Sequence, residues 1–399
     1  MDAEFRSVAD ALLQGVAQAN PGVPGVVAIV TNREGDVYEG AAGVRRLGEP
    51  APMTRDTVFA LFSCTKAITA TAALQLVEQG RLDLDAPAKN YAPDIAALQV
   101  LEGFDAAGGL RLRPPRRAIT TRMLLLHTAG FGYDFANATA KRLIDEHGQP
   151  SHRGATRRGF MAPLLFEPGE RWEYGLGLDW CGMVMESILG ERLDAILDER
   201  VLAPLGMKDT RHAPTASMIA RRASMHQREP SGAATPFDSP LRENPEIVTG
   251  GGGMHGTVPD YTRFLRMWLN DGAGETARVL KPETIAMAAR DGLGGLKVRP
   301  LPSVDPRLSN PVDFFPGQSK SWGVSFMIND EDAPTGRPAG SLAWAGLGNL
   351  YYWIDRRNGI TGFWATQIFP FMDPTSLNGF SAFETAVYEG HRRALEKQT

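Results

Sequence analysis

Ser63-Cys64-Thr65-Lys66 places a hydroxyl and an amine three residues apart, just ahead of the Ala/Leu-rich run Ala67 to Gln79. If that run is a helix, positions i and i+3 share a face, and the lysine amine can reach the serine oxygen. A serine so placed is a candidate nucleophile that needs no histidine. The opening turn of a helix adds unpaired N–H groups and a positive dipole end, which favour negative charge developing beside the serine. The chemistry these features support is acyl transfer. Alone, the pattern is common and serine is an ordinary N-cap, so other residues must complete a site.

Acyl transfer needs a second proton carrier and donors for an oxyanion. Tyr174 lies between Gly169 and Gly175, which suits a tight loop presenting its phenol to a cleft; the alternative is a loop tyrosine whose hydroxyl is simply bonded. Trp344-Ala345-Gly346-Leu347-Gly348 follows a strand-like run, and small residues there let a substrate approach the backbone. One N–H from this segment, with that of Ser63, could bind the oxyanion; a sheet bulge is the other reading. His127 closes a helix-like segment and is expected to bond its final carbonyls, a structural role. Gly250 to Gly253 are followed by no Gly-Lys-Ser/Thr, so they imply no phosphate cradle and read as a flexible turn bordering the cleft. Cys64 and Cys181 fit no metal or redox spacing and read as small packing residues, with a Cys64 nucleophile as the alternative. The seven histidines form no metal-binding motif. Neither a metal nor another cofactor is implied.

These residues need a scaffold, and the chain is long enough to supply one. Its 399 residues, 43% hydrophobic and 22% charged, with 43 Gly and 28 Pro, describe a loop-rich globular protein with a large core. A net charge of −4, with arginines only in isolated groups, argues against a nucleic-acid partner. The N-terminus shows no basic start followed by an apolar stretch, and no apolar run reaches the roughly 20 residues a bilayer requires. A cytoplasmic protein without a membrane partner is expected. The oligomeric state is not legible.

Residues 2–19 carry helical periodicity, Val23 to Val30 and Val37 to Gly43 read as a hairpin, and Trp322 to Ile328, Ser341 to Trp344, Leu350 to Ile354 and Ile360 to Ile368 read as strands. A helix over Phe380 to Leu395 closes the chain. Between these ends, Thr120 to Leu126, Arg157 to Leu165, Leu178 to Leu189, Leu193 to Val201 and Pro259 to Leu269 are helical in period. The expected fold is α+β: an antiparallel sheet flanked by helices from residues 1–85 and 285–399, with a helical domain, 86–284, inserted between. The site should lie where the two meet.

The order Ser-x-x-Lys, Tyr174, Gly-containing strand end resembles the class C β-lactamase and DD-peptidase superfamily. The likeness extends through Gly80-Arg81-Leu82-Asp83-Leu84-Asp85-Ala86-Pro87, Leu125 to Phe131, Glu167-Pro168-Gly169, Pro204 to Met207 and the Gly250 run, most of the chain. Within that superfamily the sequence is most similar to the family VIII carboxylesterases. Where lactam-processing relatives carry Lys-Thr-Gly, this chain has Trp344-Ala345-Gly346; where they carry Tyr-x-Asn, it has Tyr174-Gly175-Leu176. The resemblance therefore implies a β-lactamase-like fold and a serine carboxylesterase acting on neutral, short-chain esters, with some β-lactamase side activity allowed.

In the mechanism so implied, Lys66 and Tyr174 share removal of the Ser63 proton, and the N–H groups of Ser63 and Leu347 hold the oxyanion. Which of the two is the base before attack is left open. Trp344, Ala345, Gly346, Leu176 and Trp172 are the expected substrate contacts, with Trp180 a further wall. Lactamase or peptidase activity, and acyl transfer to an alcohol, are alternatives on the same fold; a non-catalytic binding protein is the alternative of another class.

Overall fold

The computed structural model describes residues 3–397. Its main sheet comprises β1 (Gly25–Thr31), β2 (Asp36–Gly43), β3 (Lys320–Trp322), β4 (Met327–Asn329), β5 (Leu342–Gly346), β6 (Leu350–Asp355) and β7 (Ile360–Ala365). All neighbours pair antiparallel, in the order β2-β1-β7-β6-β5-β4-β3. Both chain ends thus build one sheet, the α+β arrangement expected.

Strand alternation shows why β6 and β7 are buried throughout instead of on one side. Phe363 meets Tyr261 at 4.7 Å between ring centres, whereas the next residue, Trp364, meets Phe383 at 5.8 Å on the opposite face. Tyr261 belongs to α4 (Val258–Leu269) and Phe383 to α5 (Pro374–Glu396), so a helix covers each face. On the α5 side the sheet is also covered by α1 (Ala3–Gln18), whose Phe5 packs edge-on against Tyr38. A sheet buried on both faces needs apolar residues at successive positions. Helix α4 lies within residues 86–284, yet it packs on the sheet.

Several elements differ from expectation for local reasons. Residues 322–328 do not form one strand: the chain reverses between β3 and β4, Ser325 has φ +68, and a side chain at Gly323 would lie 2.5 Å from the Ala288 carbonyl. The last predicted strand ends at Ala365; Ile368–Phe369 pairs instead with Met225–Arg228 in a small second sheet. Helix α5 begins at Pro374, six residues before Phe380, because Asp373 caps it and binds Arg228 at 2.8 Å. The 157–165 segment is helical only over Arg157–Phe160, and the 193–201 helix passes at Asp198 into a π-turn. A helix at Ala138–His147, capped by Asn137, and a hairpin at Val100–Phe104 and Leu110–Arg113 were not among the expected elements. Residue 2, the first of the expected N-terminal helix, lies outside the described residues. Among the described residues no helix is long and apolar enough to cross a membrane.

The elements that position the site are the end of β5, the start of α2 (Thr65–Glu78) and the start of α3 (Gly177–Leu189).

Candidate active site

Ser63 lies two residues before α2, inside a 3₁₀ turn over Phe62–Cys64. The turn is strained at Phe62, whose φ of +46 is left-handed for a bulky residue and costs about 1–2 kcal/mol. Neighbouring contacts outweigh that cost: Leu61 is fully buried and its N–H bonds the Met254 carbonyl at 2.9 Å, while Cys64 N–H bonds the Leu61 carbonyl at 3.0 Å. Anchored on both sides, the turn leaves Ser63 partly exposed on a cavity wall.

Lys66 is 1% exposed. Its Nζ donates to Ser63 Oγ at 3.1 Å and to the Gly251 carbonyl at 2.6 Å. The i, i+3 geometry expected from the sequence is therefore present. Gly251 N–H in turn donates to Asp179 Oδ1 at 2.9 Å. Asp179 sits in the first turn of α3; burial raises its proton affinity, and the nearby Lys66 charge opposes that rise. A side chain at Gly251 would fall 2.6 Å from the Asp179 carboxylate. The Gly250 run is accordingly a fixed partner of Lys66 and Asp179 instead of the flexible turn expected.

Tyr174 is 4% exposed, and the Lys66 amine lies 4.8 Å from its ring centre. Its hydroxyl accepts a hydrogen bond from Trp344 Nε1 at 3.1 Å. No hydrogen bond joins Tyr174 to Ser63 or Lys66 among the described residues; such contacts commonly tighten only when substrate is bound. The Tyr174 ring is caged by His127 at 4.7 Å, Trp344 at 4.9 Å and Tyr133 at 5.2 Å between ring centres. His127 holds the loop as well, through its carbonyl to Glu173 N–H at 2.9 Å and its Nδ1 to Gly175 N–H at 3.4 Å. Its role is structural, as expected, but its ring reaches the Tyr174 loop and not the helix carbonyls. Burial and the Lys66 charge push its pKa well below the usual histidine range, so the ring is neutral.

Trp344 fixes the phenol oxygen. Trp344→Phe keeps the ring and removes that donor. Steady-state kinetics on a short-chain p-nitrophenyl ester should show kcat lower by roughly tenfold with KM little changed, about the value of one buried hydrogen bond. A rise in KM alone would make Trp344 a substrate contact instead.

The end of β5 lies hard against the Ser63 turn: a side chain at Gly346 would sit 2.5 Å from the Leu61 carbonyl and 3.2 Å from Cys64 Sγ. This approach sets Leu347 beside Ser63, where both line a cavity of about 300 Å³ and a narrow crevice of about 20 Å³. Trp344, Ala345 and Gly346 line the crevice with Tyr174, Phe135, Leu301, Val312 and Phe371. Two expected contacts lie elsewhere. Trp172 is packed behind Tyr174, against His127 and Trp322, and Leu176 faces a separate crevice with Phe131 and Leu143. Trp180 is also core, its Nε1 bonded to the Phe160 carbonyl. Cys64 is fully buried and burial raises its thiol pKa, which removes it as a nucleophile at neutral pH.

Tyr133 and Asp179 were not foreseen from the sequence, and Gly251, expected at the cleft border, was not foreseen as the partner of Lys66. Tyr133 and Asp179 line the larger cavity, and the Lys66 amine lies 5.2 Å from the Tyr133 ring centre. Only the position of Asp179, three residues into a helix that follows Tyr174, offered a signal.

Known proteins resemble this chain in sequence and in fold. The beta-lactamase family model matches residues 7–386. A monacolin J acid methylbutanoyltransferase from Aspergillus terreus is 30% identical over 395 residues, 93% of this chain and 93% of the relative. A lovastatin esterase from Penicillium rubens is 32% identical over 364 residues, 86% of this chain and 89% of the relative. A solved structure of a mutant simvastatin synthase from Aspergillus terreus superposes with a TM-score of 0.85 at 29% identity, covering 98% of this chain and 96% of that one.

Proposed function

The chain belongs to the beta-lactamase family, and on that premise we propose that it is a serine acyl-transfer enzyme, moving a short acyl group from an ester to an alcohol, with water as competing acceptor. Ser63 Oγ attacks the ester carbonyl carbon, and its proton leaves toward Lys66 and Tyr174 as the new O–C bond forms. The N–H groups of Ser63 and Leu347 hold the oxyanion. On collapse the C–O bond to the leaving alcohol breaks, and Tyr174 returns the proton to that oxygen. The acceptor hydroxyl then attacks the acyl-enzyme, its proton passes back to Ser63 Oγ, and the new ester departs.

The observation that carries this reading is the direct contact of a buried lysine with the hydroxyl of a cavity-facing serine, at 3.1 Å. The crevice beside Trp344 is apolar but only about 20 Å³, little more than water-sized, so it bounds the acyl end tightly. The cavity on the other side of Ser63, about 300 Å³, adjoins a second of about 240 Å³ through shared Phe62, Ser239, Arg242, Thr249 and Gly253. That is room for a sizeable alcohol, as the leaving group of an ester or as an acceptor. The methylbutanoyltransferase relative supports transfer; the lovastatin esterase supports hydrolysis as the second reading, the one closest to a family VIII carboxylesterase.

Supplying p-nitrophenyl butyrate with increasing amounts of a bulky primary alcohol distinguishes the two. Transfer predicts that p-nitrophenol release persists while the butyrate ester of the added alcohol replaces free butyrate. Free butyrate alone at every alcohol concentration would establish the esterase reading, and no p-nitrophenol release would overturn both.

A further inference from the structure

The two backbone donors proposed for the oxyanion come from separate parts of the chain. Ser63 follows the short strand Val58–Ala60, whereas Leu347 follows β5. Two N–H groups stabilise one oxygen only if both point at it before the reaction begins, so one segment must be fixed against the other.

A single side chain spans them. Gln367 is 1% exposed and stands between the end of β7 and Ile368–Phe369. Its Oε1 accepts from Ala60 N–H at 2.9 Å, and its Nε2 donates to the Ala60 carbonyl at 3.2 Å. The strand Val58–Ala60 pairs along one edge with His255–Thr257. On its other edge Val58 bonds the backbone of Arg221 and Ala223, and Ala60 bonds this carboxamide, which replaces a strand by giving one donor and taking one. The same Nε2 donates to the Thr366 carbonyl at 3.0 Å, and the Gln367 carbonyl accepts from His226 N–H at 3.0 Å. Both ends of the side chain are thereby held.

The link continues to Leu347. Thr366 Oγ1 lies 3.1 Å from both the Gly348 and the Asn349 carbonyls, and Asn349 Nδ2 donates to the Ile368 carbonyl at 2.7 Å. Gly348 also packs directly on the amide: a side chain there would lie 2.8 Å from Gln367 Nε2 and 3.1 Å from the Phe62 ring. Residues 366–368 therefore clamp the turn after β5 and, through Gln367, tie it to Ala60, just ahead of Ser63.

We infer that Gln367 is a positioning residue for the oxyanion site, setting the Leu347 N–H against the Ser63 N–H through the backbone on either side. This role rests on the acyl-transfer reading.

The test compares the full-length native protein with two variants. Gln367→Met keeps the side-chain length and removes both hydrogen bonds to Ala60; Gly348→Ala crowds the amide from the other side. Turnover of p-nitrophenyl butyrate is read beside inhibition by two ketones of one alkyl chain: a trifluoromethyl ketone, whose serine adduct carries an oxyanion, and the methyl ketone, which stays trigonal. In each variant kcat should fall by about 30-fold with KM little changed, and the trifluoromethyl ketone should bind more weakly by a similar factor. Methyl ketone affinity should stay at the native value. Rates are taken well below each melting midpoint, which Gln367→Met should lower by several degrees because it leaves buried backbone groups unpaired. Gly348→Ala decides the matter if Gln367→Met does not fold. Native kcat in the folded variants, or a fall in kcat with trifluoromethyl ketone affinity unchanged, overturns the proposal. If the native protein itself neither releases p-nitrophenol nor binds the trifluoromethyl ketone, the acyl-transfer reading falls and takes this role with it.

Discussion

Ser63→Ala should lower kcat/KM for short-chain p-nitrophenyl esters by about 10⁴-fold or more, to a level set by whatever the pocket does for direct attack by water. The size follows from the chemistry. Without the hydroxyl no acyl-enzyme can form, and Lys66, Tyr174 and the backbone donors have no nucleophile to serve. Folding should be nearly untouched, because Ser63 is partly exposed and, among the described residues, its hydroxyl is bonded only to Lys66. A circular-dichroism melt within a degree or two of the native protein, beside the collapse in rate, separates a lost nucleophile from a lost fold. Loss of rate by less than tenfold would point to another nucleophile.

Lys66→Met should cost about 10³-fold in kcat/KM and, unlike Ser63→Ala, should also destabilise the protein. Methionine nearly matches the volume of the lysine stem but leaves the Gly251 carbonyl without its 2.6 Å donor. It also strips the buried Asp179 of the positive charge that favours its ionised form. One orphaned buried acceptor costs roughly 1–3 kcal/mol, which in a chain of this size lowers the melting midpoint by several degrees. The two readouts diverge if the lysine is only structural: the melting midpoint would fall while the rate per folded molecule stayed near native.

The residues of the site that were legible in the sequence are those whose placement depends on short-range pattern. Ser63 and Lys66 needed only a helical turn, and Trp344-Ala345-Gly346 only a strand end. Partners that depend on distant segments were not legible: Gly251 meets Lys66 across 185 residues, and Asp179 meets Gly251 across 72. Trp172 and Leu176 failed for a related reason. Proximity to Tyr174 in the chain does not say which side of the loop a side chain takes: Trp172 packs on His127 and Leu176 faces a separate crevice. In the fold, β6 and β7 were readable because burial on both faces leaves unbroken apolar runs. The break at Gly323 was not, because the close approach of the Ala288 carbonyl belongs to tertiary packing. The turn at Phe62 likewise is held by Met254, far along the chain, and nothing local announces its left-handed backbone.

The role of Ser63 is tested most directly by intact-mass labelling with a fluorophosphonate, applied in parallel to the native protein and to Ser63→Ala. A single phosphonyl adduct on the native chain, mapped by peptide analysis to Ser63 and absent from Ser63→Ala, is the expected result. Labelling that persists in Ser63→Ala, or an adduct mapped to Cys64, would contradict it.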